Sequence, residues 1–406
     1  MTQNKNTLHQ FLENFIFEGK RTVVQSLQTD SRKSLPIFLN EFWTSKQRQA
    51  HSIHEISYRA CFKPQLPKFF IERLTAPGDI VYDPFTGRGT TIIEAALLGR
   101  NVIANDINPL SSLLCKPRLR PPSIEAIEER LYSIYSSKKK SDIDLSMFFH
   151  KKTLSEILGL QEYFLQKKKK DFLDEWIQMT ATNRLTGHSK GFFSVYTLPP
   201  NQALSAEKQR KINIERNQQP EYRDTKKLIL KKTKQLQKDL TETDRAALQQ
   251  ISAKARFFSA DARKTKAIPD SSVQLTVTSP PFLDVVQYAD DNWLRCWFNG
   301  IDAEAIGKKI TMSKKLEDWC AVMQSVFHEL YRITKARGYV AFEVGEVRSG
   351  KIRLEEFVVE LGIASGFFCE GIMINQQNFT KTANIWGVHN NAKGTNTNRI
   401  VIFQKP

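Results

Sequence analysis

The run TSPPF (278–282) follows the apolar segment SVQLTV, so a small hydroxyl, two prolines and an aromatic ring stand at the end of a candidate strand. Neither proline donates to a ladder, so the strand stops there and presents side chains and carbonyls instead. This set suits the handling of an exocyclic amine on a conjugated base. The lone pair of such a nitrogen is delocalised into the ring. Acceptors must draw on its protons before the pair can turn outward. The Ser279 hydroxyl is one acceptor, and the Pro280 carbonyl, in backbone stiffened by Pro281, is a second. Phe282 offers a face for a stacked base, worth about 1–3 kcal/mol by analogy with single-strand binders. The prolines fix the acceptors before the reaction. No cysteine lies beside the run, which argues against a thiolate adduct and leaves direct in-line transfer.

A second constellation is DPFTGRGTT (83–91), at the change from an apolar strand to a helix. Gly87 and Gly89 permit a sharp turn and close approach of a ligand. No GK[ST] follows and the GxGxxG pattern is incomplete, so neither a P-loop nor a dinucleotide fingerprint is present. Asp83 repels phosphate and suits a cationic ligand. Asp106, in ANDI, is placed to accept from both hydroxyls of a ribose, and Asp261, in SADA, from an exocyclic amine. A lone aspartate is as often a cap or turn residue. Three strand-end acids around one glycine loop favour S-adenosylmethionine, with its ammonium, sulfonium and ribose, over a dinucleotide.

The elements that must position these residues read as alternating strands and helices. DIVYDPF, the glycine loop, TIIEAALLG and NVIANDI predict a right-handed βαβ crossover, preceded by a helix over KPQLPKFFIERLT. From 257 the pattern resumes: strands at FFSADA, SVQLTV and GYVAFEV, helices at LEDWCAVMQSVFHELYRIT and RLEEFVVELGIASG, and a closing strand pair at CEGIMINQQN and NRIVIFQK. The expected core is a sheet of six or seven strands with helices on both faces, its ligand crevice at the carboxyl ends of the strands. Residues 1–50 read as one or two amphipathic helices broken at Pro36. Between 121 and 256 the texture changes to lysine runs, a long helix-like segment over 206–250, and a polar, aromatic centre, TNRLTGHSKGFFSVYTLPPNQALS.

The net charge is +17, and about half of the excess lies in this middle third. A polyanion is the expected partner, nucleic acid before an anionic membrane. No apolar run approaches the length of a spanning helix, and the first residues lack a secretory layout, so a cytoplasmic protein is expected. The 5 cysteines and 7 histidines are dispersed without metal-ligand spacing, and no metal is expected.

On DPFTGRGTT, NDINPL, SADA, TSPPF and the upstream SYRACFKPQLPKFF, the chain resembles the bacterial S-adenosylmethionine-dependent DNA amino-methyltransferases acting on cytosine N4 or adenine N6. The likeness covers 56–112 and 257–405. It implies a Rossmann-like, seven-stranded, mostly parallel α/β sheet of the class I methyltransferases, with a largely helical basic insertion. The catalytic domain would comprise 51–120 and 257–406, the N-terminal helical segment 1–50, and the inserted target-recognition region 121–256. The resemblance assigns the methionine end of the cofactor to Asp83, Phe85, Gly87, Gly89 and Thr90, its ribose to Asp106, and its adenine to Ile107 and Asp261. Tyr58, Phe62 and Lys63 would close the pocket, with Thr278 on the cofactor side. The catalytic tetrad maps to Ser279, Pro280, Pro281 and Phe282.

Serine in the first tetrad position favours cytosine N4. The glycine loop precedes the catalytic strand, the reverse of many serine-type members, and adenine N6 stays open. The partners implied are double-stranded DNA, flipped at the target base, and a cognate restriction endonuclease unless the enzyme is an orphan. An RNA or protein-amide methyltransferase shares the acceptor geometry, and a non-catalytic cofactor- and DNA-binding protein is the rival from another class. In QYADDNWLRCWF, Trp293 and Trp297 read as core rather than as a wedge, and Asn390, Asn391 and Lys393 as loop residues near the cleft.

Overall fold

The computed structural model describes residues 6–28, 34–43, 50–58, 61–197, 204–281, 288–310, 315–345, 352–376 and 397–406. Phe282, Asn390, Asn391 and Lys393 lie outside the described residues.

The chain opens with helix α1 (Asn6–Glu13), a small hairpin of β1 (Ile16–Phe17) and β2 (Lys20–Arg21), then β3 (Val23–Gln28) and β4 (Ser34–Asn40). The helical expectation for 1–50 is therefore corrected: among its described residues one helix, α1, is followed by four strands. Pro36 does not break it. It pairs with Ser26 of β3, and the ladder on the other side of β4 begins one residue later, at Ile37, where an N–H is again present.

The βαβ unit follows as expected. Helix α2 (Gln65–Leu74) leads to β5 (Ile80–Asp83), α3 (Thr90–Leu97) and β6 (Asn101–Asn105). Helix α4 (Leu110–Cys115) and a 3-10 turn (Lys116–Leu119) enter the insert, which contains α5 (Ile124–Tyr132), α6 (Lys151–Gln166), α7 (Phe172–Arg184), α8 (Ala206–Glu215), α9 (Thr225–Leu236) and α10 (Glu242–Ser252). The single long helix read over 206–250 is three. Asn217 takes a left-handed φ of 45° after α8, Asp224 caps α9, and Thr241 with Asp244 forms a capping box at α10.

The alternation then resumes with β7 (Arg256–Phe258), β8 (Val273–Thr278), α11 (Tyr288–Phe298), α12 (Ala303–Lys309), α13 (Leu316–Ile333), β9 (Thr334–Val344), α14 (Leu354–Ala364), β10 (Phe368–Gln376) and β11 (Thr397–Gln404). Among the described residues the main sheet has nine strands in the order β3-β4-β10-β11-β9-β8-β5-β6-β7. The last seven form the expected Rossmann-like α/β sheet: β9, β8, β5, β6 and β7 run parallel, and β11 is antiparallel between β9 and β10. The N-terminal β4 and β3 extend it beyond β10.

Period-two alternation sorts the strands onto two cores. Val81, Val102, Leu275, Val277 and Ala341 face one, with α2 and α3. Tyr82, Ile103, Val340 and Phe342 face the other, with α13 and α14, and Val273 joins them across an irregularity in β8 before Leu275. The insert's Ile127, Leu131, Ile157, Trp176, Ile229 and Leu248 join the first core without a break. Trp293 and Trp297 pack against the same core, their indole N–H groups donating to the Leu204 carbonyl at 3.1 Å and to Asp142 at 3.0 Å.

Candidate active site

Strand β5 ends because Pro84 cannot extend the ladder. The chain turns through 84–89 and enters α3 with Gly89 as its left-handed N-cap. Two bonds bridge this turn to the next strand: the Thr86 N–H donates to the Asn105 carbonyl at 3.0 Å, and the Asn105 N–H donates to the Thr86 hydroxyl at 3.1 Å. The Gly87 N–H donates to Asp106 Oδ2 at 2.8 Å, and the Asn108 N–H to its Oδ1 at 2.9 Å. The glycine loop therefore holds the acid of the second strand as well as its own.

Asp83 is 1% exposed. The Thr278 hydroxyl donates to its Oδ1 at 2.6 Å and the Phe85 N–H at 3.1 Å. Burial outweighs these donors and pushes the carboxyl up to about 7, with Asp106 adding to the rise. Asp106 is likewise raised, to about 6, by burial against the Asn108 and Gly87 N–H groups. Asp261 differs. It lies just past the end of β7, and the Arg263 guanidinium that forks onto it holds it below the usual carboxylate range.

All three acids and Ser279 open onto one cleft of about 1060 Å³. Tyr58, Phe62, Phe85, Gly87, Thr90, Ile107 and Pro281 also line it, so the fold brings together most of the residues expected from sequence. The remaining described ones stand apart. Gly89 faces inward, where an added Cβ would lie 2.3 Å from Cys115 Sγ. Lys63 lines a neighbouring cavity with His51 and Arg88. Thr278 acts from behind, through Asp83, and Pro280 is buried beside the cleft.

Several cleft residues escaped the reading of the sequence. Trp319, Val322, Met323 and Val326 of α13 form an apolar wall, and the Trp319 indole donates to the Pro281 carbonyl at 3.0 Å, which fixes the backbone after Ser279. Glu343, buried near the end of β9, is raised by burial against hydrogen bonds from Ser279 and Asn398. Its signal was an acid at the end of an apolar strand, the same one that marked Asp83. Among the described residues no group of acids, cysteines and histidines forms a metal centre, and no helix is long and apolar enough to cross a membrane.

The donor set fits an S-adenosylmethionine-like ligand. Two buried carboxyls without a cation beside them face an apolar-walled cleft, and the loop's own Arg88 is turned away, donating to the carbonyl of Ile56 and to Thr90.

Residues 4–111 match a family described as DNA methylase, of the N6/N4 type. That match takes in the N-terminal strands, which the motif resemblance had left out. The chain is similar to the Type II methyltransferase M.MjaII of Methanocaldococcus jannaschii, 33% identical over 95 residues, covering 23% of this chain and 18% of that protein. It is 38% identical over 104 residues to M.MvaI of Kocuria varians, 24% of this chain and 22% of the relative. M.BsoBI of Geobacillus stearothermophilus is 22% identical over 342 residues, 76% of this chain and 64% of the relative. The chain thus spans about a fifth of the first two relatives and under two thirds of the third. On the family match over the first quarter of the chain and these partial relatives, the chain is similar to the DNA amino-methyltransferases.

Proposed function

We propose that this protein transfers a methyl group from S-adenosylmethionine to an exocyclic amine of a flipped base in duplex DNA, cytosine N4 ahead of adenine N6. The observation that carries the reading is the shared cleft: Asp83, Asp106 and Asp261 of the glycine-loop side open onto the same space as Ser279. The cofactor supplies an electrophilic methyl on a sulfonium. Asp83 would take its ammonium group, Asp106 its ribose hydroxyls, and Phe85 and Ile107 its apolar parts, with Tyr58 and Phe62 closing over it.

Ser279 then meets the amine. By donating its own proton to the buried Glu343 carboxyl, its hydroxyl turns lone pairs toward the amine protons. The Trp319–Pro281 bond keeps this backbone from shifting. Phe282 is proposed as the stacking face, and the basic insert as the target-recognition surface. The Type II relatives support a partner endonuclease and a role in the cytoplasm, both proposals for this chain.

The test is methyl transfer from labelled cofactor to duplex DNA, RNA and protein, followed by base-resolved detection of the product. Ser279→Ala should lower the rate by about 10²–10³-fold and leave the cofactor dissociation constant within about twofold. Label on RNA or protein alone, or an unaffected Ser279→Ala enzyme, would sink the proposal.

A further inference from the structure

Beside the main cleft, across the wall formed by Tyr58, lies a second cavity of about 1220 Å³ between the segment 55–58 and the insert. Its lining is strongly cationic: Arg88, Arg184, Lys190, Lys231 and Lys232 surround a single carboxylate, Glu55, among the described residues. Two of the cations are inside the protein. Arg184 is 7% exposed and Lys232 is 5% exposed.

The protein does not neutralise them fully. Lys232 Nζ is 3.9 Å from Glu55 and donates to Gln235 Oε1 at 3.1 Å, while that same Glu55 oxygen also accepts from the Gln235 amide. The Arg184 guanidinium lies over the Phe192 ring at 4.0 Å and donates from one terminal nitrogen to Asn183 Oδ1 at 2.6 Å. Its Nε is buried without a hydrogen-bond partner. Burial pushes Lys232 down to about 7 and Arg184 down to about 9, so the nearby Glu55 carboxylate does not offset the loss of water around them. Burying a cation with too little negative charge around it is costly, and an apolar side chain would fill either position without that cost. A ligand that brings negative charge accounts for the arrangement.

We infer that this cavity is a phosphate site for the backbone of the nucleic acid, with Arg184 and Lys232 as its inner partners and Lys190 and Lys231 at its rim. The inference rests on the DNA reading above. The rim lysines are exposed and carry the positive surface from the cavity mouth outward, which suits a phosphodiester chain passing through. The Tyr58 wall puts the bound phosphate one side chain from the cofactor cleft. A phosphodiester held there anchors the strand next to the nucleotide whose base enters the cleft.

The experiment is a salt series of duplex binding by fluorescence anisotropy on the full chain. Each phosphate contact removed should reduce the slope of log K against log salt by about 0.9. Lys190→Gln with Lys231→Gln, both at the surface, should flatten the slope by about 1.8 and weaken binding about tenfold or more at moderate salt, with the cofactor dissociation constant unchanged. Lys232→Met removes charge and keeps bulk. It should flatten the slope by about 0.9 and keep or raise the thermal midpoint; a purely structural pair with Glu55 would instead lower the midpoint and leave the slope alone. Wild-type slopes in both variants, in a protein that binds and methylates duplex, would overturn the inference and leave the activity standing. Stabilisation by inorganic phosphate that Lys232→Met abolishes, with no change in the duplex slope, would assign the cavity to a free anion and overturn it too. If the wild-type chain neither binds nor methylates duplex, the DNA reading fails first and this inference with it.

Discussion

Asp83 has lost its water without gaining a cation, and its acidity records the fact. With the folded carboxyl raised to about 7, well above its value in an unfolded chain, its contribution to stability is present at low pH and lost as pH rises through about 7. The shift corresponds to roughly 4 kcal/mol for a group buried this completely. A cationic ligand reverses that cost. Cofactor affinity should therefore be full above pH 7 and fall about tenfold per unit below it, more steeply once Asp106 also protonates below about 6. Calorimetric titration from pH 5 to pH 8 checks this. Asp83→Asn should remove the upper inflection, weaken binding at pH 8 by about 10–100-fold, and raise the thermal midpoint of the free protein more at pH 8 than at pH 5. A flat profile in the parent protein would refute the assignment. Glu343 gives a second prediction. Glu343→Gln keeps the shape but not the charge that orients the Ser279 hydroxyl, so turnover should drop by about 10–100-fold with cofactor affinity unchanged. The acids at 83, 106 and 261 were legible because charge at the end of an apolar run is rare; Glu343 carried the same mark and was passed over because no glycine loop or motif stood beside it.

At the level of elements, the glycine loop divides its work. Gly87 lines the cleft at a φ of 52°, and an added Cβ would have its nearest neighbour at 3.7 Å, so Gly87→Ala should chiefly weaken cofactor binding. Gly89 has a φ of 83° and no room against Cys115, and it sits over Arg118, which donates to the Ile53 and Leu114 carbonyls from full burial. Gly89→Ala should cost at least about 2 kcal/mol, a drop of several degrees in the thermal midpoint. The reverse ranking in a paired melting and binding experiment would show that the loop has been misread. Spacing in the sequence identified both glycines but not this division, because the residues that press on Gly89 come from the end of α4 and the turn after it. The N-terminal strands were illegible for a related reason. β4 finds its partner in β10, more than 300 residues along the chain, and nothing local announces so distant a pairing. The βαβ unit, whose contacts are local, was read correctly.

On the scale of the whole molecule, the insert shares the apolar core of the sheet. Trp176 of α7 is fully buried and donates to Thr233 of α9 at 3.0 Å, within the same apolar body as the sheet strands. The composition changes at 121 and 256, but charge says nothing about what the apolar face of that stretch touches. A shared core predicts one unfolding transition for sheet and insert together; two separated calorimetric peaks would contradict it. The Ser57 carbonyl ties this core to the ligand sites. It accepts from Asn183 of the insert at 3.1 Å and from Arg295 of α11 at 3.1 Å, one residue before Tyr58. One oxygen thus bonds both the insert and α11 beside Tyr58, which lines both cavities. By thermodynamic reciprocity, duplex should tighten cofactor binding by the same factor as cofactor tightens duplex, and Asn183→Ala should shrink both factors equally while leaving each ligand able to bind alone.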